Sequence, residues 1–144
     1  MSVDERSGWR DLEFSKHHRL WGHDCPMIDI DFLCCEYDQG NPRALIEYKH
    51  TNALAENYNQ PNYKTLIRLG EIAQLPVFNV RYSADFKEYG VTPLNKYAVT
   101  HLPNPMVMNE KEYVTFLYKL RGRPLPEEVE DEINSSKIKL EDFM

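Results

Sequence analysis

The sequence predicts a small α/β domain with a mixed central β-sheet flanked by α-helices. Three observations point there. Residues 27–37 and 43–50 read as hydrophobic strands joined by the turn-rich Asp38-Gln39-Gly40-Asn41-Pro42, which together describe an antiparallel hairpin. Residues 61–75 then carry apolar side chains at helical spacing. A third apolar strand, Val77–Tyr82, follows at once, and a crossover of that length lets it lie parallel to its neighbour.

Taken in order, residues 4–21 are expected to form a helix on Trp9, Leu12 and Leu20, with Gly22 as its stop. This helix also carries Glu13, His17, His18 and Arg19. The loop through His23, Asp24, Cys25 and Pro26 leads into the first strand. There Ile28, Ile30 and Phe32 alternate with Asp29, Asp31 and Leu33, the period of two that a strand shows. In the second strand Leu45, Glu47 and Lys49 share one face, and Ala44, Ile46 and Tyr48 share the other. Residues 51–59 are polar and read as a loop. The helix after it uses Tyr63, Leu66, Ile67, Leu69, Ile72 and Ala73, and Pro76 ends it. Residues 85–92 read as an insertion loop punctuated by Gly90 and Pro93, and residues 96–101 as a fourth strand on Tyr97 and Val99. Pro103-Asn104-Pro105 breaks the chain. Asn109 with Glu112 three residues on is a capping box, so a helix over Glu110–Leu120 is expected to bury Tyr113, Phe116, Leu117 and Leu120.

From Arg121 the composition changes to Arg-Gly-Arg-Pro-Leu-Pro and then an acidic run. The expected division is a domain over residues 1–120 and an acidic C-terminal tail over 121–144, part helix and part disordered. Arg121 and Arg123 read as a solvated linker, with nucleic-acid contact as the alternative.

With 144 residues the chain is long enough for one domain with a real core. No apolar run approaches membrane-spanning length and the N-terminus lacks a signal-peptide pattern, so a soluble cytoplasmic protein with no membrane association is expected. The net charge of −6 argues against a broad DNA-coating surface. Three cysteines make an odd set, and Cys34 and Cys35, adjacent in a strand, point to opposite faces instead of pairing. The His and Cys spacing fits no structural zinc pattern.

The hairpin carries the chemistry. Strand pairing brings Asp31 near Glu47, with Lys49 further along the same face. An Asp at the head of a hydrophobic strand, a turn, then Glu47-Tyr48-Lys49 resembles the core of the PD-(D/E)XK nucleases. The likeness is tight over the hairpin and loose, through element order, from Arg6 to Thr100. Pro26 lies several residues upstream of Asp31 instead of directly before it, and Gln60 to Tyr63 is one residue short of the Gln-x-x-x-Tyr element of one family branch.

The resemblance implies a restriction-endonuclease-like core and a metal-dependent deoxyribonuclease, weakly sequence-selective or structure-directed, of the kind found in phages or among junction-resolving enzymes. Asp31, Glu47 and Lys49 are then the catalytic set. Asp31, Glu47 and the Tyr48 carbonyl supply hard oxygens for Mg2+ or Mn2+, and Asp29 or Glu13 supplies more carboxylate for a second ion. Lys49 orients the attacking water and stabilises developing charge. His18, Arg19, Lys64 and Arg68 are candidate phosphate contacts. DNA is the expected substrate and a homodimer the expected assembly if both strands are cut. The rival readings are a catalytically inactive nucleic-acid- or protein-binding module on the same fold, and an interaction subunit that docks through the acidic tail.

Overall fold

The computed structural model describes residues 12–22 and 26–142. The first eight positions of the expected N-terminal helix, Trp9 among them, and the loop residues His23, Asp24 and Cys25 lie outside the described residues. Within them the chain runs α1 (Leu12–His18), β1 (Phe32–Glu36), β2 (Asn41–His50), α2 (Pro61–Ala73), β3 (Val77–Tyr82), β4 (Glu88–Pro93), α3 (Lys96–His101), β5 (Met106–Asn109), α4 (Glu110–Leu120) and α5 (Glu127–Asp142). The strands form one mixed sheet in the order β1-β2-β3-β4-β5. Only β2 and β3, joined through α2, run parallel; every other neighbouring pair is antiparallel.

Alternation along the strands divides the apolar residues between two layers. Ala44, Ile46, Phe78, Val80, Val91 and Met108 pack with Tyr113 and Leu120 of α4 and with Ala98 and Leu102 at α3. On the opposite face Leu45 and Val77 pack with Leu66 of α2. This second core is small and sits at one end of the sheet. The rest of that face is left to polar side chains, and it is there that Glu47 and Lys49 project.

Local chemistry explains the helix boundaries. Pro61 starts α2, where its missing N–H has no helical partner in any case. The helix stops at Gln74, in the left-handed region at φ 59°, whose N–H bonds back to the last turn. Gly70 lets α2 press onto β3: a Cβ there would stand 2.2 Å from Val77 Cγ2. The capping box at α4 forms as expected, Glu112 N donating to Asn109 Oδ1 at 2.8 Å and Asn109 N to Glu112 Oε1 at 2.9 Å.

Two expectations need correction, and one unassigned segment proves to be a strand. Residues 96–101 are helix, not strand, because buried Asn95 caps them: its Oδ1 accepts from Ala98 N at 2.9 Å while its Nδ2 donates to Leu75 O at 2.8 Å. The fourth strand is instead β4, inside the segment read as a loop. The turn punctuation belongs to Ser83–Phe86, where Asp85 Oδ1 accepts from Ser83 Oγ and Lys87 N, while Gly90 sits within the strand and Pro93 at its end. Residues 106–109, which follow the Pro103-Asn104-Pro105 break and carried no strand assignment, add the edge strand β5.

The first strand is also shorter than its pattern. It begins at Phe32, and Asp29 lies exposed in the segment before it, so Asp29 shares no strand face with Asp31. The N–H of Tyr48, which would continue the ladder, donates to the Asp31 carboxylate instead.

At the tail, Arg121 and Arg123 are not a free linker. They approach the carboxylate of Glu36 at 3.6 and 3.0 Å, and Glu36 is only 3% exposed. This fastens the residues after α4 to the end of β1. Beyond them α5 is held to α4 by the Lys111–Glu130 ion pair at 2.6 Å. No helix among the described residues is long and apolar enough to cross a membrane.

Candidate active site

The pairing of Phe32 with Ile46 places Asp31 opposite Glu47, at the point where β1 has not yet begun. Asp31 Oδ2 accepts from Tyr48 N at 3.0 Å, which holds its carboxylate against the second strand. The Glu47 and Asp31 carboxyls are close enough for the Asp31 charge to act on Glu47. Lys49 Nζ is 3.5 Å from Glu47 Oε1 and 5.9 Å from the centre of the Tyr63 ring.

Electrostatics at this cluster are unbalanced. Burial, and next the neighbouring Asp31 charge, push the Glu47 carboxyl above its usual range, and Lys49 works against them. The Asp31 charge opposite Glu47 adds to the cost of ionising it. A divalent cation would relieve that repulsion, and hard oxygens are the ligands magnesium and manganese prefer. Among the described residues no three His, Cys, Asp or Glu side chains gather as a metal-binding group. With two carboxylates alone, an ion here would have to keep much of its water.

The remaining candidates are spread more widely. The Tyr48 side chain turns to the opposite face of the sheet and shares a short hydrogen bond with the Tyr113 hydroxyl; its backbone alone faces Asp31. Glu13 is exposed on α1, and neither it nor Asp29 joins Asp31 and Glu47 in a cluster of three. His18 packs its ring 4.5 Å from Trp21, and Arg19 is exposed in the short 3-10 turn that follows α1. Lys64 and Arg68 are exposed along α2, away from the side that buries Tyr63, Leu66 and Gly70.

The structure adds residues that the sequence reading passed over. Asn79, 2% exposed in the middle of β3, lies beside Glu47 in the parallel register. Its Oδ1 accepts from Tyr63 Oη at 2.9 Å and its Nδ2 reaches Tyr58 Oη at 3.4 Å. Burial, then the nearby Glu47 charge, drives the Tyr63 phenol far above its ordinary pKa, so it stays a neutral donor.

Arg81, beside Lys49, fastens the loop that leaves β2. Its Nε donates to Glu56 at 2.9 Å, and its terminal nitrogens donate to the carbonyls of His50, Thr51, Ala53 and Leu54. The signal was present in the sequence: Asn79 and Arg81 are two polar residues, two apart, in an otherwise apolar strand. Their period puts them on the face of Glu47 and Lys49.

Glu47, Lys49, Asn79 and Arg81 share one face of the parallel pair β2 and β3, beyond the part where Leu45 and Val77 pack with α2. No protein-family model, no curated protein and no solved structure matches the chain.

Proposed function

We propose that the chain is a metal-dependent nuclease of the PD-(D/E)XK type, built on a restriction-endonuclease-like core and hydrolysing phosphodiester bonds in DNA. The observation that carries this reading is the convergence of Asp31, Glu47 and Lys49 from two paired strands, with the Glu47 carboxyl made basic by burial and by Asp31. Phosphodiester hydrolysis needs charge neutralisation at the phosphoryl group and an activated water. A bound Mg2+ or Mn2+ supplies both, by polarising the phosphoryl oxygen and acidifying water.

The chain's own groups do the rest. Asp31 and Glu47 would hold the cation through carboxylate oxygens, with the Tyr48 carbonyl as the backbone ligand. Lys49, 3.5 Å from Glu47 Oε1, would orient the attacking water and stabilise charge on the phosphoryl oxygens. Tyr63, kept neutral and fixed by Asn79, limits where the Lys49 side chain can swing. DNA as the substrate, with weak sequence selectivity, is what the family resemblance implies.

The Lys49–Glu47 ion pair also favours a second reading, an inactive binding module on the same fold in which the two charges only satisfy each other. The test is cleavage of plasmid, single-stranded and branched DNA by the full chain with magnesium, manganese or chelator. Cutting that chelator abolishes is expected. Binding with no cutting in either metal would favour the inactive module.

A further inference from the structure

The polar face of the sheet continues past the carboxylate pair. Register places Glu47 beside Asn79 and Asn79 beside Thr92, and places Lys49 beside Arg81, Arg81 beside Gly90, and Gly90 beside Val107. Across that row runs an open groove of about 250 Å³, with Tyr58, Asn79, Arg81, Gly90, Thr92 and Val107 among its lining.

Its depth comes from Gly90. The backbone there has no positive φ, so no turn geometry calls for glycine, and an added Cβ would meet nothing closer than Arg81 O at 3.7 Å. Glycine inside a strand marks a place where something approaches the backbone closely. Among the described residues no other part of the chain does so.

We propose that this groove binds the base of a single unpaired nucleotide in the nucleic acid that the carboxylate pair acts on; the choice of ligand rests on the nuclease reading. Pockets for drug-sized ligands run to roughly 300–1,000 Å³, so a groove of about 250 Å³ takes one flat ring system. Its polar wall is fixed in advance. Buried Asn79 is bonded to both Tyr63 and Tyr58, Glu56 is bonded to Arg81, and the Tyr58 phenol and Thr92 hydroxyl line the same groove. These hydroxyls both donate and accept, as the edge of a base requires, while Val107 offers an apolar surface to its face.

A base seated over Gly90 places its phosphate toward the row of Arg81 and Lys49. Arg81 is already taken up by Glu56 and the loop carbonyls, so Lys49 is the cationic side chain of that row left to meet the phosphate. The nuclease is thereby directed to bulges, flaps or frayed ends, where a nucleotide can leave the stack at the lowest cost.

Gly90→Val tests this directly, because it fills the groove floor with a side chain that strands favour. Val107→Trp fills the groove from the exposed edge strand and serves if the first variant does not fold. The full chain is titrated with the four deoxynucleoside 5′-monophosphates in chelator, and with a matched duplex and one carrying a single unpaired nucleotide in calcium.

Wild type is expected to favour the unpaired site. Each filled variant should lose about tenfold or more in affinity for monophosphates and for that duplex, with melting and Mn2+ binding unchanged. Equal affinities in wild type and a folded filled variant would overturn the proposal, as would a wild type that shows no preference for the unpaired nucleotide. Selective loss of nucleotide binding in a chain that never cuts DNA would uphold the groove and reject the nuclease. Metal-dependent cutting with no effect of either variant would do the reverse.

Discussion

The Asp31 carboxylate accepts a hydrogen bond from the backbone N–H of Tyr48 at 3.0 Å, so one side chain both ends the pairing of β1 with β2 and comes to rest against Glu47. Strand geometry and site geometry are thus set by the same contact. Asp31→Asn keeps an oxygen for Tyr48 but lacks the charge. It should melt within a few degrees of wild type, since a neutral hydrogen bond contributes about 1 kcal/mol net, while losing about 100-fold or more in metal-dependent cleavage. Calorimetry and a cleavage assay on the same preparation check both halves.

Glu47 yields a pH dependence of definite sign. Its carboxyl is raised in the folded chain, so its contribution to stability is full below the ordinary value of 4.5 and is lost as pH rises through the folded value. In chelator, Glu47→Gln is therefore expected to melt higher than wild type at neutral pH, and the gap should close at pH 4 and below. Added Mn2+ should raise the melting temperature of wild type and leave the variant unmoved. Melting curves across pH, with and without metal, measure this.

The seating of α2 on the sheet depends on Gly70, because a methyl group there would collide with Val77 Cγ2. Gly70→Ala gains helix propensity, about 1 kcal/mol, but overpacking costs about 1–3 kcal/mol. A net loss of stability is expected. Pairing it with Val77→Ala should recover part of the loss, which a double-mutant cycle in denaturant reads out.

Arg81 ties four carbonyls of the loop after β2 and the carboxylate of Glu56. Lysine has neither the planar fork nor enough donors to replace it. Arg81→Lys is expected to speed amide exchange in residues 51–56 about tenfold or more, with little change at β3 or α4. Exchange measured by mass spectrometry should localise the effect. A uniform increase across the chain would instead show that Arg81 supports the whole fold.

How much of this was legible in the sequence depends on whether the deciding contact was local. The pairing of the two hairpin strands, α2, β3 and the capping box at α4 were legible because period, proline and capping signals all lie within a few residues, whereas the later start of β1 at Phe32 was not. The approach of Asp31 to Glu47 was legible as a consequence of strand pairing, while the register shift between Cys34 and Cys35 that sets the exact partners was not. The strand assigned to residues 96–101 failed because Tyr97 and Val99 favour strands, whereas Asn95 reaches Leu75 and Val77 from a distant stretch and caps a helix there. Gly90 and Pro93 look like punctuation in one dimension, and only the sheet shows them within and at the end of β4. Asn79 and Arg81 were read as ordinary strand residues because their partners, Tyr63 and the loop at 50–56, lie 16 or more residues away.

The most direct test of the central claim compares wild type with Lys49→Ala for Mn2+ affinity and for DNA cleavage in parallel. Removing the ammonium beside Glu47 should leave Mn2+ binding intact or slightly tighter, since a like charge is gone from the site, and should cut cleavage by about 100-fold or more. A folded Lys49→Ala protein that cuts as fast as wild type, or a wild type that binds no Mn2+ at all, would contradict the assignment of Asp31, Glu47 and Lys49 as a metal-dependent catalytic set.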